Sequence, residues 1–209
     1  MKILIADDHS VVREGLKQIL KKLPEVKIIE EVDNGLDALN ELESGNYNFV
    51  ILDISLPGMS GLDVLKSLKI KNIATRVLIL SMHPEEQYAV RAFKLGASGY
   101  VNKNRAGEDL LNAIKKISSG GKYISSELAE YMAFNLNGKS GRLLHEKLSE
   151  REFQIMLLLA RGRSVKEIAN ELFISEKTVG THRSRILEKM GMKRRTELVF
   201  YAIQNSLIE

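Results

Sequence analysis

The sequence predicts an α/β module, a doubly wound five-stranded parallel sheet, followed by a second all-helical helix-turn-helix domain. Three observations predict it. Short apolar runs alternate with helical periodicity five times within the first 120 residues, which calls for right-handed crossovers onto a parallel sheet. The alternation then stops at a Gly/Ser-rich stretch, SSGGKYISS. Charge also divides: residues 1–137 hold 17 Lys/Arg against 18 Asp/Glu, whereas residues 138–209 hold 14 against 9, and every aspartate lies in the first part. One module thus carries acidic chemistry and the other suits a polyanion.

Taken in order, KILIA (2–6) reads as a strand, and 11–23 places Val12, Leu16, Ile19, Leu20 and Leu23 on one helical stripe. Further strands are expected at 26–32, 48–53, 76–81 and 98–101, with helices at 35–44, 60–70, 84–95 and 105–119. A helix at 127–136 and a flexible break at NGKSGR (137–142) complete the connection. The expected divisions are 1–120, a partly helical linker at 121–147, and 148–209. In the last, helices are expected at 150–160, 165–172, 176–190 and about 195–205, with a turn at Phe173–Ile174. Ser149 with Glu152, and Ser164 with Glu167, have capping-box spacing, and Ser175 can cap the third helix.

Composition narrows the function. The 209 residues, 44% hydrophobic, suffice for two small cores, and the lack of cysteine rules out disulfides and thiolate zinc sites. No run of 18 apolar residues and no signal-like N-terminus occurs, so a cytoplasmic, non-membrane protein is expected. Neither GxGxxG nor GxxxxGK[ST] is present, so nucleotide turnover is not expected.

The stretch FVILDISLPGMSG drives Asp53 to the end of the most apolar strand, while Asp7 and Asp8 end the first. If strands one and three are neighbours, the three carboxylates converge at the carboxyl edge of the sheet, where open α/β sheets bind ligands. Their repulsion needs a cation among them, and an oxygen-only set suits Mg2+. Ser81 and Lys103 end the last two strands. A phosphoryl site follows, with Asp53 as nucleophile, Mg2+ held by Asp7, Asp8 and Asp53, and Ser81 and Lys103 binding the transferred group. A phosphatase-like enzyme with an Asp nucleophile is the competing reading; it would want a further acid near Asp53 and no DNA module.

LIADDHS, VILDISLPGMSG, LILS and GYVNK, in that order and spacing, resemble the receiver domain of bacterial two-component response regulators, a flavodoxin-like fold. The resemblance implies that Asp53 accepts a phosphoryl group from a sensor histidine kinase. It also implies that Asp7 and Asp8 are the metal pair, that Lys103 contacts phosphate, and that Ser81 and Tyr100 form a switch in which the aromatic turns inward. The backbone amides of Ile54 and Ser55 are expected to assist, and His9 is expected to be a surface or supporting residue.

In the second module the third helix can show Lys177, Thr181, His182, Arg183, Ser184 and Arg185, only some of which can face outward together. LSEREFQIMLLLARGRSVKEIANELFISEKTVGTHRSRILEKM closely resembles the LuxR-type helix-turn-helix of the NarL/FixJ branch of response regulators. That likeness implies promoter DNA as partner, with Lys177 and Thr178 near phosphates and Thr181, Ser184 and Arg185 in the groove; Lys189 joins the expected DNA-binding set. Gly180 stands where many members carry a lysine. One such module makes few base contacts, so a homodimer formed on phosphorylation is expected.

Overall fold

The computed structural model describes residues 1–83, 85–130, 143–205 and 207–208. The chain divides into two compact units, Met1–Lys139 and Ser140–Glu209.

The first unit is a five-stranded, all-parallel sheet in the order β2-β1-β3-β4-β5. Its elements are β1 (Lys2–Ala6), α1 (Ser10–Leu20), β2 (Ile28–Val32), α2 (Gly35–Ser44), β3 (Phe49–Asp53), α3 (Gly61–Ile70), β4 (Arg76–Ser81), α4 (Glu85–Leu95), β5 (Gly99–Asn102) and α5 (Ala106–Ser118). All five residues of β3 are buried, as its run of apolar side chains between two neighbouring strands requires. On one face Ile3, Ile5, Phe49, Ile51, Leu78, Leu80 and Val101 meet Leu16 and Leu20 of α1 and Leu110, Ala113, Ile114 and Ile117 of α5. β2 is an edge strand and correspondingly carries Glu30 and Glu31.

Two boundaries differ from the sequence reading by more than one residue, for physical reasons. Helix α1 stops at Leu20 rather than 23, because Pro24 disfavours helical backbone at Leu23, which is still buried. The strand expected from 26 begins at Ile28, since Val26 is held in a turn by its N–H bond to the Leu23 carbonyl.

Beyond α5 the chain stays on the first unit. The Tyr123 N–H donates to the Ser98 carbonyl (2.9 Å), the Ser125 hydroxyl bonds Glu85 of α4, and Arg105 pairs with Glu127 (3.0 Å). Residues 126–130 are helical and Leu128 is fully buried. The rest of the helix expected at 127–136, and the break at 137–142, lie outside the described residues.

The second unit contains α6 (Glu150–Ala160), α7 (Val165–Glu171), α8 (Glu176–Met190) and α9 (Arg195–Gln204). Both capping boxes form, and the Ser175 hydroxyl accepts from the Thr178 N–H (3.0 Å). Phe153, Leu157, Ile168, Leu172, Val179, Ile186, Met190 and Leu198 make its core.

Helices in this chain end by a recurring device. A left-handed residue donates to the carbonyl three residues back, and the next residue donates to the carbonyl five back. Gly96, Gly120, Gly162, Gly191 and Asn72 fill that position, and so does Phe173, with φ of 53°. A left-handed backbone costs a side chain with a Cβ roughly 1–2 kcal/mol.

Candidate functional site

Register builds the acidic crevice. Ala6 pairs with Leu52, so the next residues on each strand, Asp7 and Asp53, stand side by side. Asp53 pairs with Leu80 and Ser81 with Asn102, which brings Ser81 and then Lys103 to the same carboxyl edge. Asp7, Asp53 and Ser81 are all buried.

The Lys103 ammonium, only 7% exposed, binds both aspartates: it donates to Asp53 Oδ2 at 2.7 Å and forms an ion pair with Asp7 Oδ2, also at 2.7 Å. The Asp7 contact is close but not aligned as a hydrogen bond, which leaves Asp7 Oδ2, like Asp8 Oδ1, a buried oxygen without one. Burial pushes the Asp53 carboxyl above its ordinary range; the Lys103 charge and hydrogen bond and the Ser55 backbone N–H oppose it, while Asp7 adds to the rise. For Lys103, burial pulls downward, but Asp53 and Asp7 outweigh it and hold the ammonium above its usual value. His9 Nδ1 lies 2.7 Å from Asp8 Oδ1 and 3.2 Å from Asp7 Oδ1 on a largely exposed ring.

Asp7, Asp8, His9 and Asp53 each offer a ligand atom within 4.8 Å of the others. Three of the four are carboxylates, and two buried oxygens lack hydrogen bonds, so the residues present fit a hard divalent cation.

Sequence reasoning missed His83. Its Nε2 is 3.0 Å from the Ser55 hydroxyl, its N–H donates to Ser81 Oγ (3.1 Å), and its ring stacks on Tyr88 with centroids 4.5 Å apart. Its carbonyl accepts from the phenol of Tyr100 (3.0 Å), which is fully buried. Burial raises the Tyr100 phenol well above its ordinary pKa, so it stays a donor. Tyr100 is thus already inside. The only signal for His83 was its spacing, two residues after Ser81.

Gly61 explains the fixed position of Asp53. A Cβ there would lie 2.0 Å from the Asp53 carbonyl oxygen, and the Gly61 N–H donates to the Ile54 carbonyl (3.0 Å). Gly61→Ala is expected to displace the Asp53 backbone, lowering stability by about 1–3 kcal/mol and slowing phosphorylation; urea unfolding and a timed phosphodonor reaction check both.

On α8, Lys177, Thr181, Ser184 and Arg185 are exposed and share one side. The hydroxyls of Thr181 and Ser184 donate to the Lys177 (3.0 Å) and Gly180 (3.3 Å) carbonyls, which leaves their oxygens as outward acceptors. The other expected DNA contacts fall elsewhere. Arg183 is exposed but about 160° around the helix from Thr181. Thr178 is half-buried, its hydroxyl 2.8 Å from that of Ser175. His182 is half-buried, with Nδ1 finding no hydrogen bond, and burial lowers its pKa, so a neutral ring is favoured. The Lys189 ammonium is held by Glu152 at 2.6 Å, beside the Ser149 capping box.

At Gly180 an added Cβ would meet nothing within 4 Å. Gly180→Ala is therefore expected to stabilise the second unit by about 0.5–1 kcal/mol, read as a higher urea midpoint.

Comparison with known proteins agrees with this division. Residues 3–115 match the response regulator receiver domain, and residues 146–202 match the bacterial regulatory proteins of the luxR family. The chain belongs to the response regulators of the NarL/FixJ type. It is 32% identical to the response regulator UvrY of Escherichia coli K12 over 99% of this chain and 95% of that protein. It is 34% identical to the oxygen regulatory protein NreC of Staphylococcus carnosus, with each chain covered in full. Among solved structures it resembles RcsB of Salmonella enterica serovar Typhimurium bound to promoter P1flhDC in the presence of the phosphomimetic BeF3-, at 25% identity, a TM-score of 0.62 and coverage of 96% and 97% of the two chains. A NarL/FixJ-type response regulator with a LuxR-type DNA-binding domain is a transcription regulator, not a turnover enzyme, and the phosphatase-like alternative is set aside. No helix among the described residues is long and apolar enough to cross a membrane.

Proposed function

We propose that this response regulator accepts a phosphoryl group on Asp53 from a sensor histidine kinase and, as a homodimer, binds promoter DNA through α8. The reading assigns residues 1–120 to the receiver, 148–209 to DNA binding and 121–147 to the connection, in a cytoplasmic protein. The observation that carries it is Lys103 bridging Asp7 and Asp53 at the carboxyl edge of the sheet.

The Asp53 carboxylate attacks the phosphorus of the kinase phosphohistidine; the P–N bond breaks, a P–O bond forms, and the freed imidazole takes up a proton. Lys103 and the Ser55 amide exchange carboxylate oxygens for phosphoryl oxygens, and the Ser81 hydroxyl turns to the phosphoryl group as well. Mg2+ held by Asp7, Asp8 and Asp53 would neutralise charge on the transferring oxygens. The Ser81 hydroxyl accepts from the His83 N–H, and the His83 carbonyl and ring hold Tyr100 and Tyr88, so a turn of Ser81 to the phosphoryl group is felt through His83 at β5 and α4. In the second unit, Lys177 and Arg185 meet phosphates or guanine edges while Thr181 and Ser184 present acceptors to the bases.

The test is intact protein with magnesium and a small-molecule phosphodonor. One base-labile phosphoryl group should appear at Asp53, and genome-wide footprinting should show phosphodonor-dependent occupancy. Catalytic release of many phosphates per chain would contradict the reading.

A further inference from the structure

Of the six helix ends closed by a left-handed residue among the described residues, five use glycine or asparagine, the residues that tolerate that backbone. The sixth uses Phe173, at the end of α7. Its geometry is that of the others: the Phe173 N–H donates to the Asn170 carbonyl (3.3 Å) and the Ile174 N–H to the Ala169 carbonyl (2.9 Å), as Gly191 and Met192 do with Glu188 (3.1 Å) and Leu187 (2.8 Å).

Core packing does not offset the strain, because the Phe173 side chain is 61% exposed. A strained backbone bearing an exposed aromatic at a site where this chain elsewhere places glycine points to work outside the fold. The neighbourhood says what kind. Phe173 lies two residues before Ser175, the cap of α8, and so borders the N-terminal end of the side formed by Lys177, Thr181, Ser184 and Arg185. That end of a recognition helix meets base edges.

We propose that Phe173 is a DNA-contacting residue whose ring packs against an apolar edge of the duplex, a deoxyribose or a thymine methyl, beside the groove that α8 enters. The proposal rests on the reading of α8 as the groove-facing helix. An apolar contact of this kind adds affinity without neutralising a phosphate, unlike Lys177 or Arg185.

The test uses full-length, phosphodonor-treated protein and a site defined by wild-type footprinting. Phe173→Asn, which copies the chain's own solution at Asn72, is expected to raise the thermal midpoint while weakening DNA binding about tenfold with an unchanged salt slope. Arg185→Ala should weaken binding and flatten the salt slope. A duplex with deoxyuridine for thymidine separates the two apolar edges: wild-type binding falls if the methyl is the contact and is unchanged if the sugar is. Wild-type or tighter affinity of Phe173→Asn while Arg185→Ala is impaired overturns the proposal alone. Wild-type affinity of both variants overturns the reading of α8 as well. An unchanged thermal midpoint removes the strain premise. Full DNA binding with reduced transcription in vitro assigns the ring to a protein partner instead, and also overturns the proposal.

Discussion

Asp53→Ala protein is expected to bind its promoter sites equally with and without phosphodonor, at the weak level of untreated wild type. The variant removes the buried carboxylate that the register sets directly beside Asp7 and that Lys103 hydrogen-bonds. Lys103 keeps Asp7 as a partner, so the fold should survive. The expected size follows from population arithmetic: a shift from about 1% to 99% active requires about 5.5 kcal/mol of differential stabilisation, shared among the phosphoryl group, its cation and a dimer interface. Removing the acceptor forfeits the whole shift. Gel shifts with paired treated and untreated samples check it, and equal phosphodonor enhancement in variant and wild type would refute Asp53 as the acceptor.

Lys103→Met is expected to be the more damaging change to stability. It leaves Asp7 and Asp53 buried without their shared ammonium, a loss of about 3–5 kcal/mol for removing one partner of a buried ion pair. The loss is pH-dependent. Asp53 already has a raised carboxyl pKa from burial, and losing Lys103 raises it further. A group whose folded pKa lies above its unfolded value favours folding below the unfolded pKa and loses that contribution as pH rises through the folded pKa. The deficit against wild type should therefore be fullest above the variant's raised Asp53 pKa and shrink as the pH falls toward the ordinary carboxylate range. Urea unfolding across that range, without divalent ions, measures it. Added magnesium should recover part of the loss at neutral pH, because a cation among the three aspartates takes over the charge balance.

The parts of this molecule most legible in its sequence are those set by periodicity. VIL between Phe49 and Asp53 marked the central strand, and the helix bounds 35–44, 150–160 and 176–190 agree with the structure because glycine, serine caps and uninterrupted apolar stripes mark them. Where periodicity meets a local override it misleads: Leu23 belongs to the α1 stripe but follows the helix, because Pro24 comes next. The convergence of Asp7, Asp53, Ser81 and Lys103 was legible because each ends a strand or follows directly on one. His83 was not, since its role depends on a loop turning the ring back over Ser55. Nor could sequence divide the basic residues of α8. Only the fold shows that Lys189, one of the expected DNA contacts, pairs with Glu152, a residue also occupied in capping α6.

The hold of Ser98, Glu85 and Arg105 on Tyr123, Ser125 and Glu127 has a mechanical consequence. The polypeptide beyond α5 does not leave at Ser118 but is first held beside the start of α4 and the entry to β5, the elements that carry Tyr88 and Tyr100. A displacement of the start of α4 at Glu85 therefore pulls directly on Ser125, so the chain through Glu130 follows the receiver surface instead of hanging loose from α5.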